Sequence, residues 1–357
     1  DICNGKRSDE SGPTIEISGI ENGWTTGRDS SGNPLKATVT IEDSYGLKEN
    51  TTVEYVWTKN ISNLDSLVYQ TKSFTNSRED VKTELSFKVD YPQNENDYWY
   101  LVVKPGPDGL RDLNGNYSDS NPIQAGPIKL DNTKPVITNL VNSKDGVWTN
   151  QPVTVSGTIS DAHSGVKKIY YSYKSDGTNK TAFGTSQITS GGNGPFNVSN
   201  TWSTNINESI YVIGEDSVGN KTAVMPIGKI MLDVVKPTCS VVLTGTKGDN
   251  DWYKDSAVTV KLDKSDAYSD IVSYGLSTNT TATYNSTASG TQGDTPSVTW
   301  YGYVKDSAGN TQACSKTFKV DITKPTCTIS KSGTSGSNGW YRSKVALTLN
   351  SDDKLSG

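Results

Sequence analysis

The segment Asp131-Asn132-Thr133-Lys134-Pro135 returns as Asp233-Val234-Val235-Lys236-Pro237 and again as Asp321-Ile322-Thr323-Lys324-Pro325, at intervals of 102 and 88 residues. A chain that repeats at this spacing builds similar units in series, each with its own small core. A tryptophan follows each opening at a similar distance: Trp148, Trp252 and Trp340. Trp24 stands in the same relation to Pro13. The 357 residues therefore divide into a first module over 11–130, a second over 131–232, a third over 233–320 and the start of a fourth over 321–357. The chain opens on Asp1 and breaks off inside a repeat, so we expect a mature segment or a fragment of a longer array.

Two further markers recur inside the modules. Late in each stands D-x-x-G-N: Asp112 to Asn116, Asp216 to Asn220 and Asp306 to Asn310. This is hairpin-turn chemistry, with Asp capping the turn and Gly taking the left-handed position. A calcium loop is the other reading, but one Asp and one Asn do not make a six-oxygen cage. Earlier in each repeat an alternating strand ends in a polar turn. Val153-Thr154-Val155 leads to Asp161-Ala162-His163-Ser164-Gly165, and Val258 to Leu262 leads to Asp266-Ala267-Tyr268-Ser269. Val345 to Leu349 leads likewise to Asp353-Lys354-Leu355-Ser356-Gly357. Period-two alternation marks half-buried strands, and no ten-residue stretch holds a helical period.

Seven short strands in ~90–100 residues mean a sandwich of the immunoglobulin type. The predicted fold class is all-β, with tandem immunoglobulin-like β-sandwiches in an elongated rod, since Lys-Pro linkers give a stiff, extended entry. Only 32% of residues are hydrophobic, which strands burying one face can tolerate. Eight Trp and eighteen Tyr argue against disorder. A net charge of −5 without a basic stripe speaks against nucleic acid as a partner. No run of 18 apolar residues exists to span a membrane as a helix.

The D-x-x-K-P-T openings, Gly339-Trp340-Tyr341-Arg342-Ser343 and the run from Tyr301 to Asn310 resemble bacterial immunoglobulin-like (Big-type) repeats of cell-surface and secreted proteins. The resemblance covers residues 131 to 357. Module one departs from it, with the opening Ser11-Gly12-Pro13-Thr14 and an insertion at Pro105 to Arg111. The resemblance implies stalk, spacer or adhesive roles.

Four cysteines are present. Cys239 lies in the first strand of module three and Cys314 in its last. First and last strands commonly run side by side in such sandwiches, so a disulfide is expected. Module two carries Ile137 and Val224 at the matching positions, so both cysteines are present together or absent together. A disulfide implies an oxidising, extracellular setting. Cys327 matches Cys239, and Cys3 has no evident partner.

Chemistry is sparse. The single histidine, His163, would have to serve any Ser-His-Asp triad; its counterparts are Tyr268 and Leu355, which reads as an exposed turn position. Trp57, Tyr98, Trp99 and Tyr100 are candidates for stacking on sugar rings, with core packing as the alternative. Asp131, Asp233 and Asp321 recur at the module junctions and could bind calcium given further oxygens, or could serve the Lys-Pro turn alone. No enzyme is expected, and no cofactor other than possible junction calcium. The expected role is a surface or secreted stalk or adhesin array that spaces, or weakly binds, an extracellular glycan or protein. The alternative is a set of accessory modules of a larger secreted glycoside-active enzyme.

Overall fold

A computed structural model describes residues 9–75, 83–189 and 191–357. Cys3 lies outside them. The chain is all-β, a tandem of immunoglobulin-like sandwiches, and the described helices are three single 3₁₀ turns. Among the described residues no helix is long and apolar enough to cross a membrane. The chain forms two compact units. One holds residues up to Val141 with Val155–Asn200 and Ile210–Ile227; the other holds Asn142–Thr154, Thr201–Ser209 and Gly228–Gly357.

In module one the strands Thr14–Ser18, Lys36–Asp43 and Thr83–Asp90 form one antiparallel sheet. Trp24–Thr25, Ile123–Leu130, Asp97–Pro105, Thr51–Thr58 and Gln70–Phe74 form the facing one, in that order. Lys36–Asp43 shows why strands form here: Ala37, Val39, Ile41 and Asp43 are buried while the residues between them are exposed or half-buried. That period of two puts one face in the core. Val53, Leu101, Val103, Ile128 and Leu130 meet it from the other sheet.

The recurring tryptophan starts a two-residue stretch that pairs parallel to the last strand of its module; in module three that stretch opens the longer strand Trp252–Ser265. Trp24 pairs with Lys129, Trp148 with Met231 and Trp252 with Lys319. In module three the strand order is Thr238–Lys247, Trp252–Ser265, Thr311–Val320, Thr295–Asp306, Ile271–Ser277. Its core is Val258, Val260, Leu276, Val304 and Val320. Beyond it Thr326–Ser332 pairs with Ala346–Asp352. The D-x-x-G-N segments are tight turns: Gly115, Gly219 and Gly309 sit at φ of 92°, 98° and 98°. Only glycine holds that region without strain.

Candidate metal centres at the module ends

Three aspartates far apart in sequence converge at one end of each module. The first is the linker aspartate. Its backbone N–H closes onto the preceding module: Asp131 N donates to Thr25 O (2.9 Å), Asp233 N to Thr149 O (3.0 Å) and Asp321 N to Tyr253 O (2.9 Å). The next residue is gripped by a side chain of that same module. Asn132 N donates to Asn96 Oδ1 (2.7 Å), Val234 N to Asn205 Oδ1 (2.8 Å) and Ile322 N to Asp294 Oδ1 (2.6 Å).

The linker carboxylate turns the other way. Asp131 Oδ2 accepts from Ser164 N (3.0 Å), Asp233 Oδ2 from the Ser269 hydroxyl (2.7 Å) and Asp321 Oδ2 from Ser356 N (3.0 Å). Its carbonyl is held too, by Asn220 Nδ2 on Asp131 O (3.1 Å) and Asn310 Nδ2 on Asp233 O (2.9 Å). The linker is thus bonded on both sides.

The second aspartate closes the early turn. Asp43 Oδ1 accepts from Tyr45 N and Gly46 N; Asp161 Oδ1 accepts from His163 N and Gly165 N. Asp266 Oδ1 takes Tyr268 N and Ser269 N. The third heads D-x-x-G-N: Asp112, Asp216 and Asp306 each accept the backbone and side-chain N–H of the asparagine four residues on, at 2.7–2.8 Å. The turn chemistry read from sequence forms, and it also aims a carboxylate inward.

The result is three clusters: Asp9, Asp43 and Asp112; Asp131, Asp161 and Asp216; Asp233, Asp266 and Asp306. In each, one carboxylate oxygen per residue lies within 4.8 Å of the others. Asp131, Asp216, Asp233 and Asp306 are 0% exposed. Every cluster also holds a buried carboxylate oxygen without a hydrogen-bond partner: Asp9 Oδ2, Asp161 Oδ2 and Asp266 Oδ2.

The local electrostatics follow. Burial pushes the Asp43 carboxyl up, and the negative charges of Asp112 and Asp9 add to the rise against two backbone hydrogen bonds. Burial likewise raises Asp216, with the charge of Asp131 acting in the same direction. At Asp131 burial also acts upward, but the hydrogen bonds from Ser164 and Thr133 outweigh it and the carboxyl is held low. Buried carboxylates packed this closely need a counter-charge. Hard oxygen donors with no sulfur or imidazole in the cluster suit calcium or magnesium.

Sequence alone points to Asp131, Asp233 and Asp321 but not to their partners, and it places the start of module one at residue 11. Asp9 stands four residues before Pro13, as Asp131 does before Pro135, and its carbonyl accepts from Asn116 Nδ2 (2.9 Å), as Asp131 O does from Asn220. That spacing was the available signal. Asp321 has Asp353 as the counterpart of Asp266, with Asp353 Oδ1 accepting from Leu355 N and Ser356 N.

His163 is not the exposed turn residue its variability suggests. Its side chain is 19% exposed, and its ring packs edge-on to Trp24 at 6.0 Å. Nδ1 meets the Thr133 hydroxyl at 3.0 Å and Nε2 meets Asp97 Oδ1 at 3.3 Å. It fills the contact between modules one and two, and no serine hydroxyl is bonded to it.

The four aromatics do not make one stacking platform. Trp57 and Trp99 pack against the module-one core, with Trp57 Nε1 donating to Asp90 O and Trp99 Nε1 to Asn96 O, both at 2.9 Å. Lys59 lies over the Trp99 ring. Tyr98, 48% exposed, packs on Trp24 on the outer side. Tyr100 is half-buried beside Thr58.

Cys239 and Cys314 are joined, with Cα atoms 5.7 Å apart. Their strands are not side-by-side neighbours. Thr238–Lys247 bonds along the sheet to Trp252–Ser265, while Cys314 pairs with Gly302. The bridge crosses the sandwich interior. A Cβ at Gly302 would lie 2.8 Å from Cys314 Sγ, so the glycine makes room for the sulfurs. Cys327 is exposed and free.

No protein-family model and no curated protein matches this sequence. Among solved structures, the chain is similar to the fibronectin(III)-like modules of Clostridium thermocellum CbhA, at 14% identity and a TM-score of 0.23, over 61% of this chain and 94% of that one. It is also similar to a 1.5-MDa bacterial ice-binding adhesin, at 15% identity and a TM-score of 0.32, over 87% of this chain and 98% of that one. A third likeness is to SGBP-B of the Bacteroides ovatus mixed-linkage glucan utilization locus, solved with a mixed-linkage heptasaccharide, at 11% identity and a TM-score of 0.16, over 93% and 77%.

Proposed function

We propose that this chain is a non-catalytic stretch of a surface or secreted stalk or adhesin array of Big-type repeats, whose modules are locked end to end by divalent cations of the calcium class. The observation that carries this reading is the threefold recurrence of a buried aspartate cluster with an unpartnered oxygen. In the second and third clusters one member is the linker itself. Asp131 with Asp161 and Asp216, and Asp233 with Asp266 and Asp306, would hold one ion each; Asp9, Asp43 and Asp112 would hold another. The ion supplies the positive charge that three buried carboxylates lack. Because Asp131 is also bonded to module one, filling its site would fix the direction of module two relative to module one. The disulfide supports an extracellular setting, where calcium modules bind at ~10⁻⁴–10⁻³ M.

Native mass spectrometry of the full chain in calcium tests it. Three bound ions, lost on chelation and reduced to two in Asp216→Asn, are expected. A chain that binds none at millimolar calcium overturns the reading.

A further inference from the structure

Away from the aspartate clusters, module two gathers three lysines around one carboxylate. Glu215 ends the outer face of Ile206–Asp216 and is 9% exposed. Lys167 Nζ donates to its Oε1 at 3.2 Å and Lys180 Nζ to its Oε2 at 3.4 Å, and Lys221 Nζ lies 4.0 Å from Oε2. One lysine is enough to neutralise the glutamate. Two positive charges remain over, on a chain whose net charge is −5. The side chains of Lys167 and Lys221 are 51% and 52% exposed, so their remaining N–H donors face water. Lys180 is pinned by the Tyr170 ring, 4.2 Å from its ammonium.

The fold itself does not require this group. In module three the position of Glu215 is Lys305, that of Lys167 is Val272 and that of Lys221 is Thr311, on an equivalent pair of strands. Where only an ion pair is built, a single lysine suffices, as in Lys104 with Glu54 at 3.1 Å. The three-lysine group around a glutamate is therefore not shared by module three.

We infer that Lys167, Lys180 and Lys221 form a binding site for an acidic glycan, one bearing sulfate or carboxylate groups. Three ammonium heads held by one carboxylate lie within ~10 Å of one another, which suits spaced anionic groups on neighbouring sugars. A nucleic acid fits less well, because it needs a longer basic track or free aromatic faces, and Tyr170 is covered by Lys180. The inference goes beyond the stalk reading and does not depend on the cation sites.

The test is binding of the full chain to labelled dextran sulfate oligomers, with uncharged dextran as control, in calcium and again in chelator. Dextran sulfate should bind and dextran should not. Combined Lys167→Gln, Lys180→Gln and Lys221→Gln should weaken binding about tenfold, the sum of three exposed charge contacts. Glu215→Gln removes the internal competitor and should tighten binding about threefold. Lys221→Gln alone, at a half-exposed side chain, keeps the fold and should weaken binding about twofold. Equal binding by the triple variant, weaker binding by Glu215→Gln, or equal affinity for a single-stranded oligonucleotide of matched charge would each overturn the assignment. Loss of binding in chelator with the lysines intact would also overturn it.

Discussion

Replacing Asp161 by Asn isolates the electrostatics of the second cluster, because it changes charge and almost nothing else. Asp161 Oδ1 accepts two backbone N–H groups, and Oδ2 has no partner. An asparagine keeps the first set and places its amide where the unpaired oxygen stood, ready to donate to a neighbouring carboxylate. The three carboxylates lie within 4.8 Å of one another. At an effective dielectric constant of about 20, each pair then repels by about 3.5 kcal/mol and the three pairs by about 10 kcal/mol. A cation-free protein relieves this by taking up a proton, which costs an ordinary aspartate about 5 kcal/mol at pH 7.5. That cost caps what the substitution can recover.

In chelator, Asp161→Asn should therefore stabilise module two by about 2–5 kcal/mol, which raises its melting temperature by roughly 10 °C or more. In millimolar calcium the difference narrows. There the wild type gains about 0.4–1.4 kcal/mol from an ion at 1 to 10 times its dissociation constant, and the variant, lacking one ligand, loses most of that gain. Differential scanning calorimetry in both buffers gives the four values. A variant that is less stable than wild type in chelator, or a wild type indifferent to calcium, refutes the reasoning.

Other consequences can be measured separately. Reducing Cys239–Cys314, which closes 75 residues, should cost module three about 4 kcal/mol in the chain-entropy model, read as a lower melting transition in dithiothreitol. Gly219→Ala puts a side chain at φ of 98° and should destabilise its turn by about 1–2 kcal/mol in urea titration. Asn132→Ala removes the side-chain bonds to Thr26 O and Glu95 O; limited proteolysis should then cut between modules one and two faster than in wild type. Val260→Ala empties a fully buried core position of module three and should cost about 2–3 kcal/mol, seen as an earlier urea midpoint with an unchanged slope.

The backbone plan is written locally, so the sequence alone carries it. Val258 to Leu262 alternates because one face of that strand is in the core, and Asp306 to Asn310 turns because Gly309 can hold a positive φ. These signals act over a few residues, and the D-x-x-x-P and tryptophan spacings extend them to a repeat. Pairing across a distance obeys other rules. Asp131, Asp161 and Asp216 each have a sufficient local explanation, a linker bond or a turn cap, so nothing in their immediate neighbours announces that they meet. Only the closing of the sandwich, which brings the linker, the early turn and the late hairpin to one end, makes three turn residues into a charged cluster. The same holds for His163, whose variable counterparts conceal a contact with module one, and for Cys239 and Cys314. Their joint presence in one repeat is legible, but whether they meet along a sheet or across it depends on which strands the tertiary fold sets face to face. Local sequence determines what each segment can be; packing decides which distant side chains share a site.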